Sequence, residues 1–227
     1  MRHIEMDNGS NGFSCSEGTK GIEKRQMRLI GITGGVGAGK SEILSYIDRH
    51  YKCRIYLADQ VAHRVQEPGE RCYERITALL GREVLDGQGR IEKGKMAAKI
   101  FADPSLLGQV NDIVHPAVRE YLQERIEETE RDPEVELFFV EAALLIEAGY
   151  KGIMDELWYI HASAEIRERR LRESRGYSPE RIGQIMKSQL TEQAFREACD
   201  FVIDNSGPLE DSFRQIRQRL EGYTWQE

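Results

Sequence analysis

Cysteine is scarce in this sequence and badly placed for chemistry. The four present, Cys15, Cys53, Cys72 and Cys199, show no CxxC spacing and have no histidine cluster beside them. That arrangement argues against a zinc site and for a reducing, cytoplasmic compartment. Long apolar runs are missing too, so no segment offers a membrane span. The first 26 residues are rich in Gly, Ser and charge and contain nothing like the apolar core of a secretion signal; they are expected to form a disordered extension. Positive charge is in deficit, with 32 Lys and Arg against 39 Asp and Glu for a net charge of -7. Proteins that coat nucleic acid carry the opposite balance, so no nucleic-acid partner is expected and any phosphate site must be local. Internal repeats and heptads are absent.

What remains is the make-up of a globular protein: 227 residues, 40% hydrophobic and 31% charged, enough to bury a substantial core. Apolar runs that read as strands alternate with segments of helical period. The runs are RLIGI from Arg28, RIYL ending at Ala58-Asp59, VELFFV over Val135 to Val140, ELWYIH, and FVI over Phe201 to Ile203. Helices are expected over Lys40 to His50, Gln60 to Gln66, Glu70 to Leu80, Lys93 to Phe101 and Leu106 to Val114, with another beginning near Pro116 and a closing one marked by Leu209, Phe213, Ile216 and Leu220. Alternation of this kind predicts an α/β fold with a parallel sheet and right-handed crossovers.

The strongest local signal is Gly34-Gly35-Val36-Gly37-Ala38-Gly39-Lys40-Ser41, which fits GxxxxGK[ST] between a strand and a helix. Glycines let consecutive N–H groups turn inward as an anion nest, and the helix start adds its positive dipole end. Gly35, Gly37, Ala38 and Gly39 are thereby assigned to phosphate binding, with Lys40 reaching the β- and γ-phosphates. Ser41 is the expected Mg²⁺ ligand and Glu42 completes the set. ATP and Mg²⁺ are the implied cofactors. No NKxD segment of the type that reads guanine occurs, which argues against a GTPase.

Beyond this loop, LIGITGGVGAGKS, LADQVAHRV followed by EPG, NDIVHPAV, EAALLIEAGY and SQLTEQAFREACDFVIDNSG occur in that order. Together they resemble the dephospho-CoA kinase family from about Met27 to the C-terminal helix. The resemblance implies a three-layer P-loop kinase fold with a five-stranded parallel sheet. It implies a single domain over 27–227, with its core at 27–60 and 133–227, a helical acceptor-binding insert at about 61–132 and a lid at about 165–190. It also implies transfer of the ATP γ-phosphoryl group to the ribose 3′-hydroxyl of dephospho-CoA, with Asp59 accepting the hydroxyl proton. On residues alone, Asp59 reads equally well as a helix N-cap. His115 and Arg119 become acceptor contacts by the same resemblance, and Asn205 an adenine contact. Where the commoner family form reads Pro-Leu-Leu-Phe-Glu, this chain has Ala143-Leu144-Leu145-Ile146-Glu147, which leaves open whether Glu141 or Glu147 has a role.

Arg167, Arg169, Arg170, Arg172 and Arg175 crowd one segment of an otherwise acidic chain. Such a segment suits a lid that brings positive charge to a transferring phosphoryl group. Arg170 is the first choice for that contact and Arg175 the second, one position beyond Ser174, where the family's lid arginine aligns. Gln189 and Arg196 follow the same logic. Two other readings stay open: a kinase of the same fold with a different nucleotide acceptor, and an ATP-binding module without transfer. A monomer or weak homo-oligomer without membrane association is expected.

Overall fold

The computed structural model describes residues 27–147 and 149–223; the expected extension, residues 1–26, lies outside them. Strand β1 (Arg28–Thr33) takes the centre of a sheet because its side chains are apolar on both faces: Leu29 enters one layer, Ile30 and Ile32 the other. β2 (Cys53–Leu57), β3 (Leu137–Glu141), β4 (Glu156–His161) and β5 (Phe201–Asp204) join it in the order β2-β3-β1-β4-β5, and every pairing is parallel. Cover on both faces explains why the central strands read as continuous apolar runs.

On one face, α1 (Lys40–His50) and α9 (Leu209–Glu221) bury Ile43, Ile47, Ile216 and Leu220 against Phe139, Trp158 and Ile203. On the other, α2 (Ala58–Arg64), α3 (Tyr73–Leu80) and α5 (Ser105–Thr129) pack Val61, Ile76, Leu122 and Ile126 around Phe138, Val140 and Leu157. Phe138, Phe139 and Trp158 are wholly buried, and truncating any of them to Ala costs about 3–5 kcal/mol. With α4 (Lys93–Ala102), helices α2 to α5 fill the connection between β2 and β3. Between β4 and β5 come α6 (Ala164–Arg175), α7 (Pro179–Lys187) and α8 (Glu192–Ala198). Each of these three starts with a hydroxyl accepting a backbone N–H, from Ser163, Ser178 and Thr191, the stabilising N-cap arrangement.

Two sequence expectations are corrected. Leu106 to Val114 and the segment from Pro116 form one helix, α5, running through Pro116. Proline costs about 3 kcal/mol inside a helix, but Val110, Ile113, Val114, Ala117, Val118 and Leu122 form a buried stripe that continues across it, and that burial holds the helix together. The second helix starts at Ala58, so Asp59 lies inside its first turn and Leu57 takes the cap position with no side-chain bond. Asp59 is therefore not an N-cap.

Candidate active site

Parallel sheets present their ligands at the carboxyl ends of the strands, and here those ends share one edge. The loop Gly34–Gly39 leaves β1, Asp59 follows β2, Glu141 closes β3 and pairs in register with Leu57 and Ile32, and Asp204-Asn205 closes β5. A cleft of about 970 Å³ opens there, walled by the loop, Lys40, Asp59, Glu141 and Arg170. Ser41, Glu42 and Arg175 also line it.

The loop is shaped from outside. Arg167 Nε donates to the Val36 carbonyl at 2.9 Å, and Arg170 donates to the carbonyls of Ala38 at 3.2 Å and Asn205 at 2.9 Å. Asn205 Nδ2 holds the Ala38 carbonyl at 2.8 Å while its Oδ1 accepts from Ser212 Oγ at 2.9 Å. With the carbonyls engaged behind the loop, the amides at the start of α1 are left toward the cleft, where an anion can take the bonds that a helix start lacks. Gly39 occupies the capping position with φ 89° and supplies no side-chain bond. A Cβ there would collide with the Asn205 amide, so backbone conformation and space both demand glycine.

Lys40 Nζ donates to the Gly34 carbonyl at 2.8 Å and lies 3.5 Å from Glu141 Oε1. Burial lowers the Lys40 ammonium below its ordinary range, and Glu141 offsets only part of that. Burial likewise raises the Glu141 carboxyl; Lys40 opposes the rise and the Asp59 charge adds to it. Lys40 and Glu141 thus share a desolvated space in which each ionised form is disfavoured.

Gly35, Gly37, Ala38, Gly39, Lys40, Ser41, Glu42, Asp59, Arg170 and Arg175 come together at the cleft. His115 and Arg119 do not. Both are exposed on α5 outside the cleft lining, and Arg119 lies over the Tyr150 ring, 5.6 Å from its centroid. Asn205 is wholly buried beneath the loop, where its amide braces Ala38 rather than facing a base. Between the two glutamates the geometry chooses Glu141, since Glu147 is exposed and away from the lining. Arg167 was only one of a cluster in the sequence, and its contact with Val36 gives it a distinct place. Gln189 joins it: its Oε1 accepts from both Val36 N–H, at 3.3 Å, and the Arg167 guanidinium. No sequence signal separates Arg167 from its neighbours, because that depends on how α6 lies across the loop.

Comparison with known proteins gives a consistent result. The family profile described as dephospho-CoA kinase matches residues 28–211. A dephospho-CoA kinase of Corynebacterium diphtheriae is 33% identical over 200 residues, covering 88% of this chain and 96% of that protein. One from Streptococcus mutans is 33% identical over 193 residues, covering 85% and 96%. A crystal structure from Thermus thermophilus superposes with a TM-score of 0.72 at 31% identity, covering 87% of this chain and 98% of the other. A dephospho-CoA kinase from Campylobacter jejuni shares the fold, with a TM-score of 0.64 at 19% identity over 85% and 95% of the two chains.

Proposed function

The chain belongs to the dephospho-CoA kinase family, and from that premise we propose how its own residues carry out the reaction. The protein is an ATP-dependent kinase that phosphorylates the ribose 3′-hydroxyl of dephospho-CoA, giving CoA and ADP. The observation that carries the mechanism is the meeting of the glycine loop, Lys40 and Asp59 on one cleft.

The triphosphate of ATP lies along the loop with its charge against the amides that open α1 and the Lys40 ammonium. As it enters, Lys40 exchanges the Gly34 carbonyl for phosphate oxygens. Asp59, held on the rigid first turn of α2, accepts a hydrogen bond from the 3′-hydroxyl and aims its oxygen in line with the γ-phosphorus. The new P–O bond forms as the bond to the β-phosphate oxygen breaks. The hydroxyl proton leaves late in so loose a transition state, so orientation by Asp59 matters more than its basicity. Arg170 and Arg175, which line the cleft, add positive charge where phosphate charge builds up.

Mg²⁺ would be held by the Ser41 hydroxyl, with Glu141 and Asp59 lining the same cleft. Among the described residues no cluster of three or more His, Cys, Asp or Glu forms a metal cage; one hydroxyl with nearby carboxylates is the donor set suited to a cation that arrives on a nucleotide. It supplies charge neutralisation of the transferring group when bound. A cytoplasmic setting fits this chemistry, and no helix among the described residues is long and apolar enough to cross a membrane.

The test is product identification. ATP, Mg²⁺ and dephospho-CoA should yield ADP and an acceptor heavier by one phosphoryl group, with a phosphorus resonance of a 3′-monoester. Turnover with another nucleotide but not with dephospho-CoA would assign a different acceptor.

A further inference from the structure

Val36 lines the cleft, whereas Arg167 and Gln189, which hold its backbone, do not. Both stand behind the loop, Arg167 on α6 and Gln189 in the turn between α7 and α8. Three hydrogen bonds close a ring there. Arg167 Nε donates to the Val36 carbonyl, the Val36 N–H donates to Gln189 Oε1, and the same oxygen accepts from the Arg167 guanidinium. The guanidinium lies so close to Gly35 that a Cβ at that position would strike it.

The charge in this ring has no counter-charge. Among the described residues Arg167 makes no ion pair, and both of its acceptors, a carbonyl and an amide oxygen, are neutral. It is half-buried, and a guanidinium stays protonated even so. Its field reaches the site, where it adds to burial in disfavouring the Lys40 ammonium. A carboxylate at position 189 could accept the same two hydrogen bonds and would make the one from Arg167 stronger. An arginine needed only to tie α6 to the loop would therefore be served at least as well by glutamate. The amide instead orients the guanidinium without neutralising it.

Resting on the reading that nucleotide phosphates occupy the loop, we propose that Gln189 is a positioning residue whose neutrality matters: it turns Arg167 onto the Val36 peptide and leaves the guanidinium charge free to act through the loop on the bound triphosphate. Lys40 and the amides of α1 meet the phosphates from the cleft, as do Arg170 and Arg175. Arg167 meets them from behind, as a fixed cation that needs no rearrangement when the nucleotide arrives. Its hold on both backbone groups of Val36 also keeps that peptide in place before binding.

Equilibrium ATP titration and thermal melts of the full chain test this. Gln189→Glu and Arg167→Met each remove one positive charge from the ring, by opposite routes. Both should weaken ATP binding by about tenfold, the order expected for losing a unit charge within a Debye length of the phosphates. Their melts should diverge. Gln189→Glu keeps every hydrogen bond and should melt at or above the wild-type temperature, whereas Arg167→Met should melt below it. A purely structural role predicts instead that Gln189→Glu binds ATP like wild type, and that result overturns the proposal. So does a Gln189→Glu variant whose ATP affinity and melting temperature fall together. In either case wild-type ATP binding leaves the kinase reading intact; a wild type that binds no ATP removes both.

Discussion

Lys40 and Glu141 face each other at 3.5 Å with each side chain 15% exposed, and both are held away from their preferred ionisation by burial. The loop lysine is thus kept in an electrostatically uneasy place that a triphosphate relieves. A buried ion pair replaced whole by neutral groups is often neutral or stabilising by about 1–4 kcal/mol, whereas removing one member exposes the other. The double variant Lys40→Met/Glu141→Gln should therefore be inactive yet melt at or above the wild-type temperature, with each single variant melting below it. The sign follows from the shifts. Glu141 has a raised folded pKa, so its ionisation costs stability once pH rises above the ordinary 4.5. Lys40 has a lowered one, so its cost applies below 10.5. Both costs act at neutral pH, and the Glu141 part of the gain should fade in melts below the carboxylate range.

Asn205 gives a second expectation. Its amide joins Ala38 of the loop to Ser212 of α9 in a wholly buried spot. Asn205→Ala removes one hydrogen bond at each end, while Arg170 still reaches the Ala38 carbonyl and the Ser212 hydroxyl still reaches the Asp204 carbonyl, a loss of about 0.5–1.5 kcal/mol per bond. ATP KM should rise and thermal stability fall together. A variant with higher ATP KM and unchanged stability would instead point to direct contact with the nucleotide.

The glycine loop, its flanking strand and α1 could be read from the chain because their information is local: spacing, glycine and apolar period lie within about twenty consecutive residues. The bracing of that loop by Arg167, Arg170 and Asn205 could not, since it depends on the placement of α6 and β5 around β1. Glu141 was undecidable for the same reason, because its position opposite Leu57 is a matter of sheet register. Pro116 misled because a local rule against proline in helices gave way to a buried stripe that only the tertiary fold supplies. His115 and Arg119 rested on resemblance alone, and the fold leaves them outside the cleft lining.

A third prediction concerns Glu156, at the start of β4. Burial alone would raise its carboxyl, but hydrogen bonds from Trp158, Tyr223 and Arg219, together with the Arg219 charge, outweigh burial and hold it below its usual range. A lowered folded pKa means that the stabilisation is complete above the unfolded value and lost as pH falls through the folded one. Glu156→Ala should destabilise by about 3–5 kcal/mol at neutral pH. Urea melts should show the gap narrowing below pH 4, where the wild type loses the same interaction.

The thiols offer a fourth. Burial pushes Cys53 and Cys199 up to about 11 and raises Cys72 as well. At pH 8 a thiol of that kind is ionised to about one part in a thousand. In a Cys15→Ser background, native protein should react slowly with a thiol-titrating disulfide and release its three remaining thiols only on denaturation. Fast native reaction would mean that these sites open readily.

The most direct test of the central claim is acceptor-dependent ADP release by Asp59→Asn beside wild type, at saturating ATP and dephospho-CoA. If Asp59 positions the attacking hydroxyl, kcat should fall by about 10²-fold or more while ATP affinity is preserved. A kcat close to wild type would contradict the account.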